Sequence, residues 1–224
     1  MDRVFSPLDL TASIIEEYED FVVSENHPCI MAQTVFAQQE YEFSIQGKLG
    51  FKRSAKTLLE DLENFIEEYD FSDNRFKSFV AVFHETEVAT EIEFENLLWR
   101  QLQLMHHIDN KSWDHRVSDE PNNKNFSFSL GGRAFFVVGL HPKSSRMSRR
   151  APYPTLVFNL HWQFEKLREM GVYERVRNKI RKRDAELQGS INPMLADYGE
   201  SSEALQYSGR HVDKKWKCPF HSKK

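Results

Sequence analysis

The chain is poor in cysteine, lacks any long apolar run, and carries none of the common nucleotide or covalent-cofactor signatures. Its two cysteines, Cys29 and Cys218, each lie beside a proline. Two thiols cannot build a disulfide framework, and no Cys/His set has zinc-site spacing. No stretch approaches the roughly 20 apolar residues that span a bilayer. The N-terminus lacks the charged segment and apolar run of a signal peptide. The expectation is a cytoplasmic protein that does not enter the membrane. GxGxxG, a Walker loop, GxSxG and CxxCH are all absent, so neither a bound nucleotide nor a covalently attached haem is signalled. A net charge of −4 leaves no electrostatic footprint for nucleic acid.

What the chain does have is aromatic bulk and segregated charge. Hydrophobic residues make up 40% of its 224 positions and charged residues 29%, the balance of a soluble globular protein long enough to bury a real core. The 18 phenylalanines can fill a core or line a pocket for a flat ligand. Residues 9–25 and 57–95 are acidic, whereas 143–183 are basic. Such a basic stretch suits phosphate or carboxylate groups, or is simply a solvated helix face.

Periodicity organises the chain into mixed elements. Ser6-Pro7 opens a helix carrying Leu10, Ile14, Tyr18, Phe21 and Val22 at helical spacing, and Asn26-His27-Pro28 stops it. Tyr41, Phe43 and Ile45 alternate with polar residues as in a half-buried strand. Ser54 caps a second helix through Tyr69, and 76–83 (FKSFVAVF) reads as a central strand. Thr90 caps a long third helix that ends near Asp109. The polar segment 114–125 has no period and is the candidate mobile loop. Strands over 126–130 and 133–140 flank Gly131-Gly132, a two-residue hairpin signal. A short strand at 155–160 runs into a helix beginning at His161, Gly171 breaks it, and a basic helix fills 172–187. The tail is irregular, but Met194, Leu195, Tyr198, Tyr207, Trp216 and Phe220 give it anchors to pack back on the core. Strands and helices in irregular order imply an α+β fold, a mixed or antiparallel sheet packed with several helices.

Two segments crowd residues that hold anions, ligate metals or stack on flat groups: LHPKSSRMSRR (140–150) and QYSGRHVDKKWKCPF (206–220). With NLHWQFEKLREMG (159–171) and LQGSINPML (187–195), they resemble the bacterial YqcI/YcgG family, most strongly from about Phe126 to Phe220. The resemblance implies a single domain over 1–224, with 190–224 an irregular tail on the core. Some members of that family, such as the pre-guanitoxin N-hydroxylase and an arginine N-hydroxylase of D-cycloserine synthesis, are haem proteins that N-hydroxylate guanidino or amino groups. For this chain it implies b-type haem, held non-covalently. The implied reaction is O2-dependent hydroxylation of an amino-acid-like substrate, with electrons from an external donor. A homodimer is compatible with this reading. The alternative is a non-catalytic haem or small-anion binding protein, a sensor or carrier; a weaker third is a non-haem metal hydrolase.

Several residues are candidates for that chemistry. His161 and Glu165 are four apart at a helix start and so share a face; spacing alone favours a buried histidine and a surface acid, and the resemblance raises His161 as first-choice iron ligand and Glu165 as a substrate anchor. His141, before Pro142, is the second-choice ligand. Ser145, Arg146, Arg149 and Arg150 suit haem propionates or a substrate carboxylate, with Arg146 leading because it lies nearest His141; a basic surface loop is the plainer alternative. A Cys218 thiolate would favour O–O cleavage, although free cysteines are usually small buried hydrophobes. His106-His107 ends the third helix, where capping is the default and a proton relay the alternative. Tyr207 and Arg210, with Ser208, read either as catalytic residues closing over a pocket or as a tail latch.

Overall fold

The computed structural model describes residues 7–23, 27–73 and 75–223. The expected cap at Ser6 and stop at Asn26 fall outside them. The described residues form one α+β domain: α1 (Pro7–Val23), α2 (Ile30–Ala37), β1 (Tyr41–Gln46), α3 (Lys52–Glu68), β2 (Ser78–Phe83), α4 (Glu91–Ile108), β3 (Phe128–Leu130), β4 (Arg133–Leu140), β5 (Thr155–Leu160), α5 (His161–Glu169), α6 (Tyr173–Gln188) and α7 (Ala204–Tyr207). A 3-10 turn, Met147–Arg149, lies between β4 and β5. Among the described residues no helix is long and apolar enough to cross a membrane.

The five strands form one mixed sheet in the order β1-β2-β5-β4-β3. β1 and β2 are parallel, joined through α3, and every other pairing is antiparallel. All six residues of β2 are buried because helices cover both faces of the sheet. Phe79, Ala81 and Phe83 point toward the core shared with α3 and α4, while Val80 and Val82 pack with α1 and α2. Gly131 and Gly132 both have positive φ, +58° and +76°, as the two-residue turn joining β3 to β4 requires.

Several elements depart from expectation. α3 starts at Lys52, and Ser54 is buried inside its first turn instead of capping it. α2 was not expected at all. Of 126–130, only Phe128–Leu130 is regular strand; Phe126 instead bridges Ser118. The 114–125 segment is pinned: buried Asp114 accepts from the Ala134 amide at 3.1 Å, its own amide donates to Ser129 Oγ at 2.9 Å, and the Ser118 amide donates to the Asn125 carbonyl at 2.8 Å. The tail packs back as expected, with Trp216 and Phe220 against Trp99 of α4.

Candidate functional site

The sheet face opposite α3 and α4 is covered incompletely. α1 and α2 sit over one part of it and α5 and α6 over another, with residues 192–206 of the tail crossing between. The gap is a cavity of about 360 Å³. Register sets its floor: Ser78, Asn159 and Phe136 form one row across β2, β5 and β4, and Val80, Val157 and Val138 form the next. Ser78 Oγ donates to Asn159 Oδ1 at 2.8 Å, so the polar row satisfies itself. Phe21, Val22, Phe36, Phe164, Leu167 and Leu195 complete walls that are mostly apolar, the usual character of a small-molecule site.

One end of the cavity carries an acid and an imidazole. His161 is set there because β5 passes directly into α5 with no intervening loop. Its Nε2 stands 3.4 Å from Glu165 Oε1 and its Nδ1 3.8 Å from Glu203 Oε1. Nδ1 is buried and has no hydrogen-bond partner. Burial lowers the pKa of this imidazole, which favours the neutral ring at neutral pH. Tyr198 packs edge-on against it with ring centroids 4.4 Å apart. Glu203 lines the cavity, and burial pushes its carboxyl up to about 8. Tyr207 Oη stands 3.2 Å from its Oε2.

The other end is basic. Arg149, on the 3-10 turn, lies buried at the cavity wall beside His27, Cys29 and Ser148. Its Nη1 donates to the carbonyls of Gly139 and Tyr207 at 3.1 and 3.2 Å. Burial lowers the Arg149 guanidinium to about 10.

The remaining expected residues divide sharply. Arg146, expected to lead the arginine group, forms a buried ion pair with Asp184 and donates to the Ser190 carbonyl at 2.8 Å. Arg150 is exposed and donates to the Ser144 carbonyl at 3.0 Å, and Ser145 binds Glu91. Only Arg149 of the three arginines reaches the cavity. Glu165 is half exposed, pairs with Arg168 at 2.5 Å and does not line the cavity. His141 is fully buried and stacked on Phe94, with centroids 4.3 Å apart, away from the cavity. Cys218 packs on the core of the opposite sheet face, and burial pushes its thiol up to about 12. Its thiolate is therefore disfavoured.

Tyr207 and Arg210 serve as the latch that the sequence allowed. Tyr207 Oη accepts from the Phe128 amide at 2.9 Å and donates to the Phe135 carbonyl at 3.2 Å. Arg210 and Ser208 bind the buried Glu95 of α4. His106 accepts from the Lys223 amide at 2.9 Å, another tail contact. Among the described residues no group of three His, Cys, Asp or Glu side chains comes together to hold a metal ion, so His161 and Glu165 gain no third metal-holding partner.

The YqcI/YcgG family model matches residues 18–221, which takes in every cavity wall and the tail latch. The chain belongs to the YqcI/YcgG family. Among its relatives is "Uncharacterized protein YcgG" of Bacillus subtilis (strain 168), 29% identical over an alignment of 210 residues that covers 88% of this chain and 81% of that one. "Uncharacterized protein YqcI" of the same organism is 28% identical over 203 residues, 86% of this chain and 80% of the relative. No solved structure matches the chain.

Glu203 and Tyr198 carried no site signal in the sequence. Glu203 follows two serines in an irregular tail, and only tertiary packing buries it against His161. His27 and Cys29 were visible as a helix stop and a lone thiol; their place at the cavity wall follows from α2, which the sequence hid.

Proposed function

We propose that this member of the family is a haem-dependent N-hydroxylase whose chemistry takes place in the cavity on the sheet. The observation that carries the reading is a buried imidazole, His161, with one ring nitrogen unpartnered at the edge of an apolar cavity. A b-type haem needs an axial donor, a water-poor slot and anchors for its carboxylates. The residues fit those needs: a neutral His161, walls built from Phe21, Phe36, Phe136 and Phe164, and Arg149 as a cationic anchor. Haem, when bound, supplies O2 activation, with electrons from an external donor. The protein supplies the surroundings. Glu165, at 3.4 Å, orients the imidazole from its solvent side. The apolar walls exclude water. Glu203 holds a proton at Oε near neutral pH, because burial favours its neutral form. Glu203, and not Glu165, is therefore the acid that faces the cavity, and it does so as a proton donor.

Titration of the purified protein with haemin tests this. A sharp Soret band that saturates at one equivalent per chain is expected; the weak, broad spectrum of free haemin overturns the reading. His161→Ala should abolish the band and Cys218→Ser should leave it intact. Turnover of guanidino and amino compounds with O2 and a reductant then separates an enzyme from a haem carrier.

A further inference from the structure

Arg149 is a buried cation with no ion-pair partner among the described residues. It is 8% exposed, and no carboxylate lies within 4.0 Å of its guanidinium among the described residues. The nearby acid, Asp184, is already engaged by Arg146, by Ser148 Oγ at 3.3 Å and by the Asn192 amide at 3.2 Å. Arg149 uses only Nη1, on two neutral carbonyls, leaving Nε and Nη2 without hydrogen bonds among the described residues. Burying a guanidinium without a counter-charge is costly, so such a group in a cavity wall is a site prepared for an anion.

Cys29, Met31 and Ala32 line the cavity at the same end, where the Cys29 thiol caps α2 by accepting from the Ala32 amide at 3.4 Å. Gly209 makes room for the guanidinium stem: a Cβ at that position would lie 3.1 Å from Arg149 Cδ. The φ of Gly209, +79°, also disfavours any side chain there.

The geometry points to Arg149 as the anchor for a carboxylate carried into the cavity on an apolar body. The guanidinium takes the carboxylate, and Phe21, Phe36, Phe136 and Val138 take the body. This rests on the cavity being the ligand site, as proposed above, but not on the ligand being haem. The carboxylate has two possible sources, a haem propionate or a free carboxylic acid, and both present the same group to Arg149.

Calorimetry with 4-phenylbutanoate and its uncharged amide, 4-phenylbutanamide, tests the anchor without any variant. The acid should bind about tenfold or more tighter than the amide, the scale of a charge-assisted hydrogen bond. Arg149→Met should erase that preference, and Arg149→Lys should keep part of it. Equal binding of acid and amide, an intact preference in Arg149→Met, or no binding of either together with equal binding of haemin and its dimethyl ester overturns the proposal. Haemin and its dimethyl ester form the second arm, read by the Soret band. Tighter binding of the free diacid assigns the carboxylate to propionate. An acid preference with 4-phenylbutanoate but no Soret band assigns it to a free acid, and then the haem reading fails while the anchor stands. Equal binding of haemin and its ester, with no preference between acid and amide, leaves haem binding in place and removes the anchor.

Discussion

Arg146 and Asp184 form a buried ion pair that ties the loop after β4 to the C-terminal half of α6, with their side chains 9% and 7% exposed. The pair, not the cavity, claims the arginine nearest the strand end. Ser148 and the Asn192 amide share the same carboxylate, so one acid holds the 3-10 turn, the helix and the start of the tail together.

Removing one partner leaves the other charged and buried. Arg146→Ala should therefore cost about 3–5 kcal/mol of folding stability. Urea denaturation measures it. A loss below about 1 kcal/mol, the scale of an exposed pair, would show that the pair is solvated.

Gly139 allows no side chain. A Cβ there would stand 2.7 Å from Phe94 Cε1, 2.7 Å from the Tyr207 carbonyl oxygen and 2.8 Å from Leu98 Cδ1. Gly139→Ala should destabilise by about 1–3 kcal/mol through overpacking and loosen α7 from β4. Thermal unfolding together with hydrogen exchange at the Tyr207 region checks both effects; a wild-type Tm would refute the close packing.

Stability should fall in mild acid. Burial lowers His141 and His27 to about 4, from an ordinary value of 6.5. The folded state therefore binds these protons less well than the unfolded chain does. The stability they contribute is complete above 6.5 and is lost as pH falls toward about 4. His141→Phe keeps an aromatic ring on Phe94 and removes one titrating group. Its urea midpoint should drop less across that window than the wild-type midpoint, and equal slopes would count against a neutral buried His141.

The tail is clamped by Glu95, whose side chain is 6% exposed. Arg210→Ala should cost about 2 kcal/mol, the scale of hydrogen bonds to a charged group, and should open residues 209–223 to proteases. Limited proteolysis followed by mass measurement of the fragments decides it; unchanged cleavage would mean that Trp216 and Phe220 alone hold the tail.

Much of this architecture was legible because local and tertiary signals agreed. The continuous apolar run of β2 marked a strand covered on both faces. Paired glycines marked the β3–β4 turn, and Thr90 marked the start of α4, where its Oγ1 accepts from the Glu93 amide at 3.1 Å. α2 was hidden because IMAQTVFA has almost no polar face and is capped by Cys29, an unusual capping residue. The site was legible in part. His161 stood out at a strand-to-helix junction. Which of three arginines reaches the cavity depends on the 3-10 turn, and the burial of Glu203 depends on where the tail crosses the sheet. Neither leaves a local trace.

β5 is the last strand in sequence and lies in the middle of the sheet, between β2 and β4. Until Leu160 has been synthesised, the chain holds two half-sheets, β1-β2 and β4-β3, each with an open inner edge facing a gap. Neither can close on the other without β5. Open edges of this kind are prone to pair with other chains, and contacts so distant in sequence form slowly. A nascent chain stalled before that strand is therefore a pair of mismatched ribbons rather than a smaller version of the fold. Splitting the protein anywhere between β2 and β5 should give two pieces that are insoluble apart and recover only when joined.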